Sequence, residues 1–256
     1  MADSNMRIEW VDAAKGIGIL MVMFGHNWLD WKYCYYFDSF HMPLFFILAG
    51  YTFSDRRAPF DFIKQKAKVL IIPYVLFVCC YLIFYGVLSH THGGDYDMGG
   101  KILAFLMQQR HTYLWFLPVL FLSELCVYVL SRAKLVTNIK LGVILFVLAL
   151  LHYLTIYTKC VNLIWNIDLV PMASVYIILG ILYKRVSVKW TFENNKWIAG
   201  LLFCFSLLVS TINFVVWDRV DIWGNSYGCL PLFYLGAISA TYATVLLLKQ
   251  ISIPRM

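Results

Sequence analysis

Two histidines and a lysine occur in this chain where titratable side chains are rare. Lys15 and His26 bracket the apolar run GIGILMVMFG, with ten residues between them. A second histidine, His41, sits in the run FHMPLFF. An ionisable group inside a bilayer is costly and tends to be functional. Eleven positions along a helix make almost three turns, so Lys15 and His26 share a face and stand ~16 Å apart along the axis. Histidine is the side chain best poised to take or give a proton near neutral pH. The spacing therefore offers a cation at one edge of a membrane and a base deep within it. Counted from the basic residues that mark the same edge, Glu124 lies ~15 Å inward of Lys134, and His41 ~22 Å inward of Arg56. His26, Glu124 and His41 thus fall in the middle and far half of one membrane, with a cation below.

The elements that position these groups follow from composition. Of 256 residues, 61% are hydrophobic and only 14% charged, with a mean hydropathy of +0.72. That is the composition of an all-α, polytopic membrane protein rather than a soluble domain. Apolar runs long enough to span recur at about 12–29, 37–54, 69–89, 113–131, 141–157, 168–184, 197–217 and 228–248. A bundle of about eight transmembrane helices is expected, forming one domain over residues 1–256. No Gly/Ser/Pro linker divides the chain, and no internal repeat points to a duplicated transporter fold. The second run is interrupted by Asp38, His41 and Pro43. Because proline lacks an N–H and suits a first helical turn, this span is expected to be broken near Pro43, with Ser39 as its cap.

Charge sets the orientation. With eight spans, 16 of the 21 Lys and Arg residues fall on the side that carries both termini and the 56–68 loop, and five on the other. By the positive-inside rule both termini are cytoplasmic, and the loop at 90–112 is outside. Topology accounts for the formal net charge of +7, which leaves no basic face for nucleic acid. The first apolar run lacks a small-residue cleavage site and is entered by Asp12 and Lys15, so it reads as a retained span. Of seven cysteines, Cys34, Cys160 and Cys229 fall near the outer face, where a disulfide could form. His90-Thr91-His92 lies in the outer loop without further metal ligands nearby, and no metal-binding spacing occurs elsewhere.

Each group taken alone has a plain reading. Lys15 is a snorkelling interface residue, Asp12 a helix cap, Glu124 a protonated structural acid, and either histidine a packing residue bonded to a carbonyl. Their joint placement is what calls for chemistry.

The run from Arg7 to Gly16 (RIEWVDAAKG), then Gly25-His26, then FHMPLFFILAGYTF resemble the start of the membrane acyltransferase 3 family. The similarity is greatest to its fucose 4-O-acetylase-like branch, which includes polysaccharide O-acetyltransferases. The family signature of a basic residue, ten residues and a histidine is matched with Lys15 in the basic place and His26 in the histidine place. Leu114-Trp115-Phe116-Leu117-Pro118 with Glu124, then Trp165-Asn166-Ile167-Asp168, then Asp221 with Asn225-Ser226-Tyr227-Gly228 follow in family order. Such proteins usually carry about ten spans, with a further histidine in a late one. This chain shows about eight and reads as a short or truncated member.

The resemblance implies transfer of an acetyl or other acyl group from cytoplasmic acyl-CoA, as co-substrate, to a hydroxyl of an extracytoplasmic glycan or cell-envelope acceptor. It implies a multi-pass protein of the bacterial cytoplasmic membrane, partnered by acyl-CoA, carbohydrate and membrane lipids, with no metal and no nucleic acid; an oligomer is compatible with it. In that scheme His26 is the general base, and His41 orients it or stabilises the oxyanion. Glu124 orients a histidine. An acyl-histidine relay is an alternative. Lys15, Arg56, Arg57 and Lys68 meet the CoA phosphates. Asp12, Asp168, Asp221 and Asn225 bond the acceptor, and Trp115 or Trp165 stacks on it. Two other classes fit the same buried His and Glu: a proton-coupled transporter or channel, and a non-catalytic scaffold that tolerates loss of both histidines.

Overall fold

A computed structural model describes residues 8–27, 31–92, 97–108, 114–136, 140–160, 163–187 and 196–251. The described residues form helices, with no strand among them; outside the helices Asp221 and Ser226 form an isolated antiparallel bridge. The helices are α1 (Glu9–Asn27), α2 (Trp31–Tyr51), α3 (Pro59–Lys66), α4 (Ile72–His92), α5 (Met98–Met107), α6 (Phe116–Arg132), α7 (Leu141–Tyr157), α8 (Val170–Ser187), α9 (Lys196–Trp217) and α10 (Leu230–Gln250). A π-helical turn, Ala67–Ile71, joins α3 to α4, and a 3₁₀ turn, Ile164–Leu169, leads into α8.

Among the described residues, each of the eight apolar runs carries a helix. Four helical stretches are long and apolar enough to cross a membrane: Pro59–Thr91, Ile164–Ser187, Lys196–Trp217 and Leu230–Gln250. The helices over the other runs are shorter or more polar; α6 and α7 have 17 residues each, and α1 carries Glu9, Asp12, Lys15 and His26. Two expectations about connections change. The basic 56–68 segment is helical from Pro59 onward, because Pro59 fits the first position of a helix and Phe62 buries against its neighbours. The 90–112 segment holds α5, capped by the Asp97 side chain, which accepts a hydrogen bond from Gly100 N at 2.8 Å.

The break expected near Pro43 does not occur: α2 runs unbroken from Trp31 to Tyr51 with Pro43 inside it. Proline removes one N–H and pushes on the carbonyl one turn back. The acceptor left without its donor is the Ser39 carbonyl, and the helix continues past it. Ser39 Oγ donates to the Tyr36 carbonyl at 2.6 Å, and His41 Nδ1 lies 2.7 Å from the Phe37 carbonyl. Ser39 therefore serves the helix interior rather than capping a new start.

The chain divides into two compact units, 1–53 with 176–256, and 54–175. In the first, α1, α2, α9, α10 and the part of α8 from Tyr176 pack together. Val11, Ala14, Leu44, Leu48 and Val245 form a core that Trp10, Tyr51 and Tyr183 close at one end. Small residues let the helices approach, as expected where apolar lipid provides little drive for helix association. A Cβ on Gly50 would overlap the Ile177 carbonyl, and one on Gly180 would overlap the Ile47 carbonyl. The two glycines thus fix one close crossing of α2 and α8. Between α2 and α9, Tyr36 and Ser39 pair with the hydroxyls of Ser206 and Ser210 at 2.7 and 3.2 Å.

In the second unit, Tyr74, Val78 and Phe105 form a core with Leu82, Leu114 and Leu117 around it. Tyr74 OH donates to the Phe105 carbonyl at 2.9 Å, tying α4 to α5. Phe62 stacks on Tyr128 with centroids 4.2 Å apart, and Tyr128 OH donates to the Arg57 carbonyl at 2.8 Å. Leu76, Phe77, Ile83 and Phe84 on α4 are exposed apolar residues, suited to lipid contact. None of the seven cysteines, Cys34, Cys160 and Cys229 included, forms a disulfide.

Candidate functional site

The first unit holds both sequence-marked histidines. α1 is one continuous helix, so Lys15 and His26 keep their shared face and their ~16 Å separation. Both are exposed. Asp12 also lies on α1, but the helix starts at Glu9, and Asp12 N donates to the Ile8 carbonyl at 3.2 Å within the first turn. It therefore lies inside the helix rather than capping it, where its charge favours the N-terminal end of the dipole.

His41 is half-buried on α2 and lies close enough to His26 for their charges to interact. A carbonyl oxygen can only accept, so the 2.7 Å contact with Phe37 O places the proton on His41 Nδ1. In the neutral ring this leaves Nε2 with a free lone pair, an acceptor of hydrogen bonds.

Asp38 joins this region, and sequence spacing alone did not place it there. It lies one turn before His41 on α2. A Cβ on Gly25, the residue before His26, would stand 3.5 Å from Asp38 Oδ1. Asp38 Oδ2 is 3.7 Å from an Arg219 nitrogen, and a second Arg219 nitrogen is 3.9 Å from Asp221 Oδ2. The usable signal was the interval of three between Asp38 and His41, which puts two polar groups on one helical face.

Asp221 and Asn225 occupy the connection from α9 to α10, and the structure gives both a folding task. Asp221 and Ser226 exchange backbone hydrogen bonds at 2.7 and 2.9 Å, and Gly224 N donates to Asp221 Oδ1 at 3.0 Å. Asn225 takes a left-handed backbone, φ 56°, which asparagine tolerates, and accepts from Tyr227 OH at 3.0 Å. Gly228 is also left-handed, and Asn213 bonds both the Tyr227 carbonyl and Cys229 N.

The second unit holds the remaining candidates. Glu124, assigned from sequence to a histidine, instead forms an ion pair with Lys66 at 2.5 Å; its side chain is 4% exposed and that of Lys66 23%. Lys66 closes α3 just before the π turn, so a cation counted from sequence as a loop residue reaches a buried acid. Arg56, Arg57 and Lys68 are exposed. Trp115, one of two proposed stacking surfaces, is only 6% exposed and so offers no face to a sugar. Trp165 is half-buried, and its indole N–H donates to the Leu106 carbonyl at 3.1 Å. Asn166 and Asp168 are buried, and Asn166 Nδ2 donates to the Gln108 carbonyl at 3.1 Å. Trp165 and Asn166 are successive left-handed residues, φ 58° and 51°. Such strain persists only where surroundings hold it, here the bonds to the end of α5. A further intramembrane histidine, His152 on α7, is fully buried. Among the described residues no group of three or more His, Cys, Asp or Glu could hold a metal ion.

A family model described as an acyltransferase domain matches residues 8–255. Neither a curated protein nor a solved structure matches the chain. With the apolar helices, the family match makes this a multi-pass membrane protein.

Proposed function

The chain belongs to the acyltransferase 3 family, and from that premise we propose that it is an O-acyltransferase, in the fucose 4-O-acetylase-like branch, that passes an acetyl group from cytoplasmic acetyl-CoA to a hydroxyl of an extracytoplasmic glycan. Residues 1–256 act as one transmembrane catalytic domain, in a bacterial cytoplasmic membrane, with both termini cytoplasmic. The observation that carries this reading is the histidine pair on α1 and α2, with the tautomer of His41 set by the Phe37 carbonyl.

The chemistry follows from that tautomer. In this reading a ring N–H of His26 donates to His41 Nε2, and the opposite nitrogen of His26 acts as the base. That nitrogen takes the proton of the acceptor hydroxyl as its oxygen attacks the thioester carbonyl carbon. The tetrahedral intermediate then collapses, the C–S bond breaks, and the departing CoA sulfur receives the proton back from His26. One C–O bond forms, one C–S bond breaks, and no oxidant or metal is required. In the first unit the exposed Lys15 suits the CoA phosphates, and ~16 Å along α1 is comparable to the reach of a pantetheine arm; the exposed Arg56, Arg57 and Lys68 of the second unit are the other cations read from the sequence for that role.

The test uses purified protein in detergent with acetyl-CoA, scoring CoA release and acetylation of candidate glycans. His26→Ala should lower turnover by ~10²–10⁴ with detergent stability unchanged. Near-parental turnover in folded His26→Ala would remove it as base. Solute movement without CoA dependence would favour a transporter, and full function without either histidine a scaffold.

A further inference from the structure

Asp38 is a carboxylate with little company. Its side chain is 18% exposed, and its described partner is Arg219 at 3.7 Å, too long for a direct hydrogen bond. Removing most of a carboxylate's solvent without giving it a hydrogen bond is costly unless something else supplies one. Arg219 stands in the same condition toward Asp221, at 3.9 Å. The three side chains converge from α2 and from the connection between α9 and α10, and each keeps hydrogen-bonding capacity that their mutual contacts do not use. Separations above 3.5 Å between charged partners are those at which a bridging hydroxyl fits.

Two further features indicate what would supply those hydroxyls. Trp223, in the turn closed by Asp221 and Ser226, is 43% exposed, and indole is a large flat surface on which a sugar ring can lie. Charge narrows the class. Asp218 adjoins the cluster, its Oδ1 accepting Arg219 N at 2.7 Å, so among the described residues three carboxylates accompany one guanidinium there. A uronate or phosphorylated sugar would meet net repulsion, whereas the hydroxyls of a neutral sugar can donate to the carboxylates and accept from the guanidinium.

We infer that Asp38, Arg219 and Asp221, with Trp223 beside them, form the acceptor subsite, and that the acceptor is a neutral carbohydrate. Asp38 is its specificity-determining residue. A Cβ placed on Gly25, next to His26, would lie 3.5 Å from Asp38 Oδ1, and Asp38 lies one turn from His41, so a hydroxyl bound to Asp38 has its proton on the side of the base. What happens to that hydroxyl rests on the acyl-transfer reading; the subsite itself is tested by binding.

Fluorescently tagged neutral hexasaccharides of glucose, galactose and N-acetylglucosamine, with a galacturonate hexamer as the charged comparison, are titrated against full-length protein in nanodiscs. At least one neutral probe should bind and the galacturonate should not. Asp38→Asn should weaken that binding about 10- to 100-fold, as expected for loss of a hydrogen bond to a charged group. Trp223→Ala, at an exposed position that does not test the core, should weaken it about 10-fold. In turnover, Asp38→Asn should raise the acceptor KM far more than the acetyl-CoA KM. Equal binding by parent and Asp38→Asn, failure of every neutral probe to bind, or preference for galacturonate would overturn the subsite. Asp38-dependent binding in a protein without acyl-CoA chemistry would sink the acyltransferase reading and keep the subsite. Acylation indifferent to Asp38→Asn would do the reverse.

Discussion

Lys66→Met should be among the most destabilising single changes in the second unit, and the geometry says why. Lys66 Nζ and Glu124 Oε1 are 2.5 Å apart, with Glu124 nearly sealed and Lys66 about a quarter exposed. At an effective dielectric of ~20, two unit charges at that distance attract by roughly 6–7 kcal/mol. Desolvation costs several kcal/mol per ion, so the pair as a whole contributes little net stability. Breaking it is another matter. Lys66→Met strands a carboxylate that has nowhere to reach, at a cost of about 3–5 kcal/mol. Glu124→Gln strands a lysine whose long stem can carry its charge toward the surface, so its cost should stay near ~1–2 kcal/mol. The double variant Lys66→Met with Glu124→Gln removes both charges and should recover at least ~2 kcal/mol of what Lys66→Met loses. The assay is a double-mutant cycle on unfolding in mixed micelles, followed by tryptophan fluorescence. Equal costs for the two single variants, or a double variant no better than Lys66→Met, would refute the idea that Glu124 is a buried anion held by Lys66.

Replacing Lys15, Arg56, Arg57 or Lys68 by Gln should raise the acetyl-CoA KM, leave kcat less changed, and reduce the preference for full CoA over a short pantetheine thioester, because phosphate contacts remote from the carbonyl are largely uniform binding; equal discrimination by parent and variants would confine these cations to topology. Gly50→Ala and Gly180→Ala should each cut folded yield, with a penalty of about 1–3 kcal/mol or more, since a Cβ at either site meets a backbone carbonyl of the facing helix and not a movable side chain; parental thermal stability of either variant in detergent would contradict that crossing. His41→Ala should slow acyl transfer while leaving donor binding intact, whereas His41→Gln, whose amide carbonyl can accept a hydrogen bond from His26, should retain more activity than Ala; a ranking with Gln at or below Ala, measured as kcat in equally stable preparations, would count against an accepting role.

Local order along the chain carried much of this protein. Hydropathy over twenty-residue windows placed a helix on every apolar run, and 3.6-residue periodicity put Lys15 and His26 on one face of a single helix, because both depend only on neighbours within a few turns. The motif that resembles the acyltransferase family is likewise local, and the family match over residues 8–255 accords with it. Connections and partners were less legible. Pro43 looked like a break, yet α2 runs through it, with Ser39 and His41 turned back onto the Tyr36 and Phe37 carbonyls, an outcome that composition does not rank. Trp115 looked like a platform and is buried. Glu124 looked like a partner for histidine and holds Lys66. Asp38 looked like an interruption and meets Arg219, a residue from the far end of the chain. Each of these outcomes depends on how far a helix is rotated about its axis and how closely it approaches another. Those quantities are set by non-local contacts such as Gly50 and Gly180 against the opposing backbone. The sequence by itself determined that the chain is a set of apolar helices with a base and a cation on one of them; only the tertiary structure decided which charges face each other, because pairing depends on helix rotation and approach rather than on spacing along the chain.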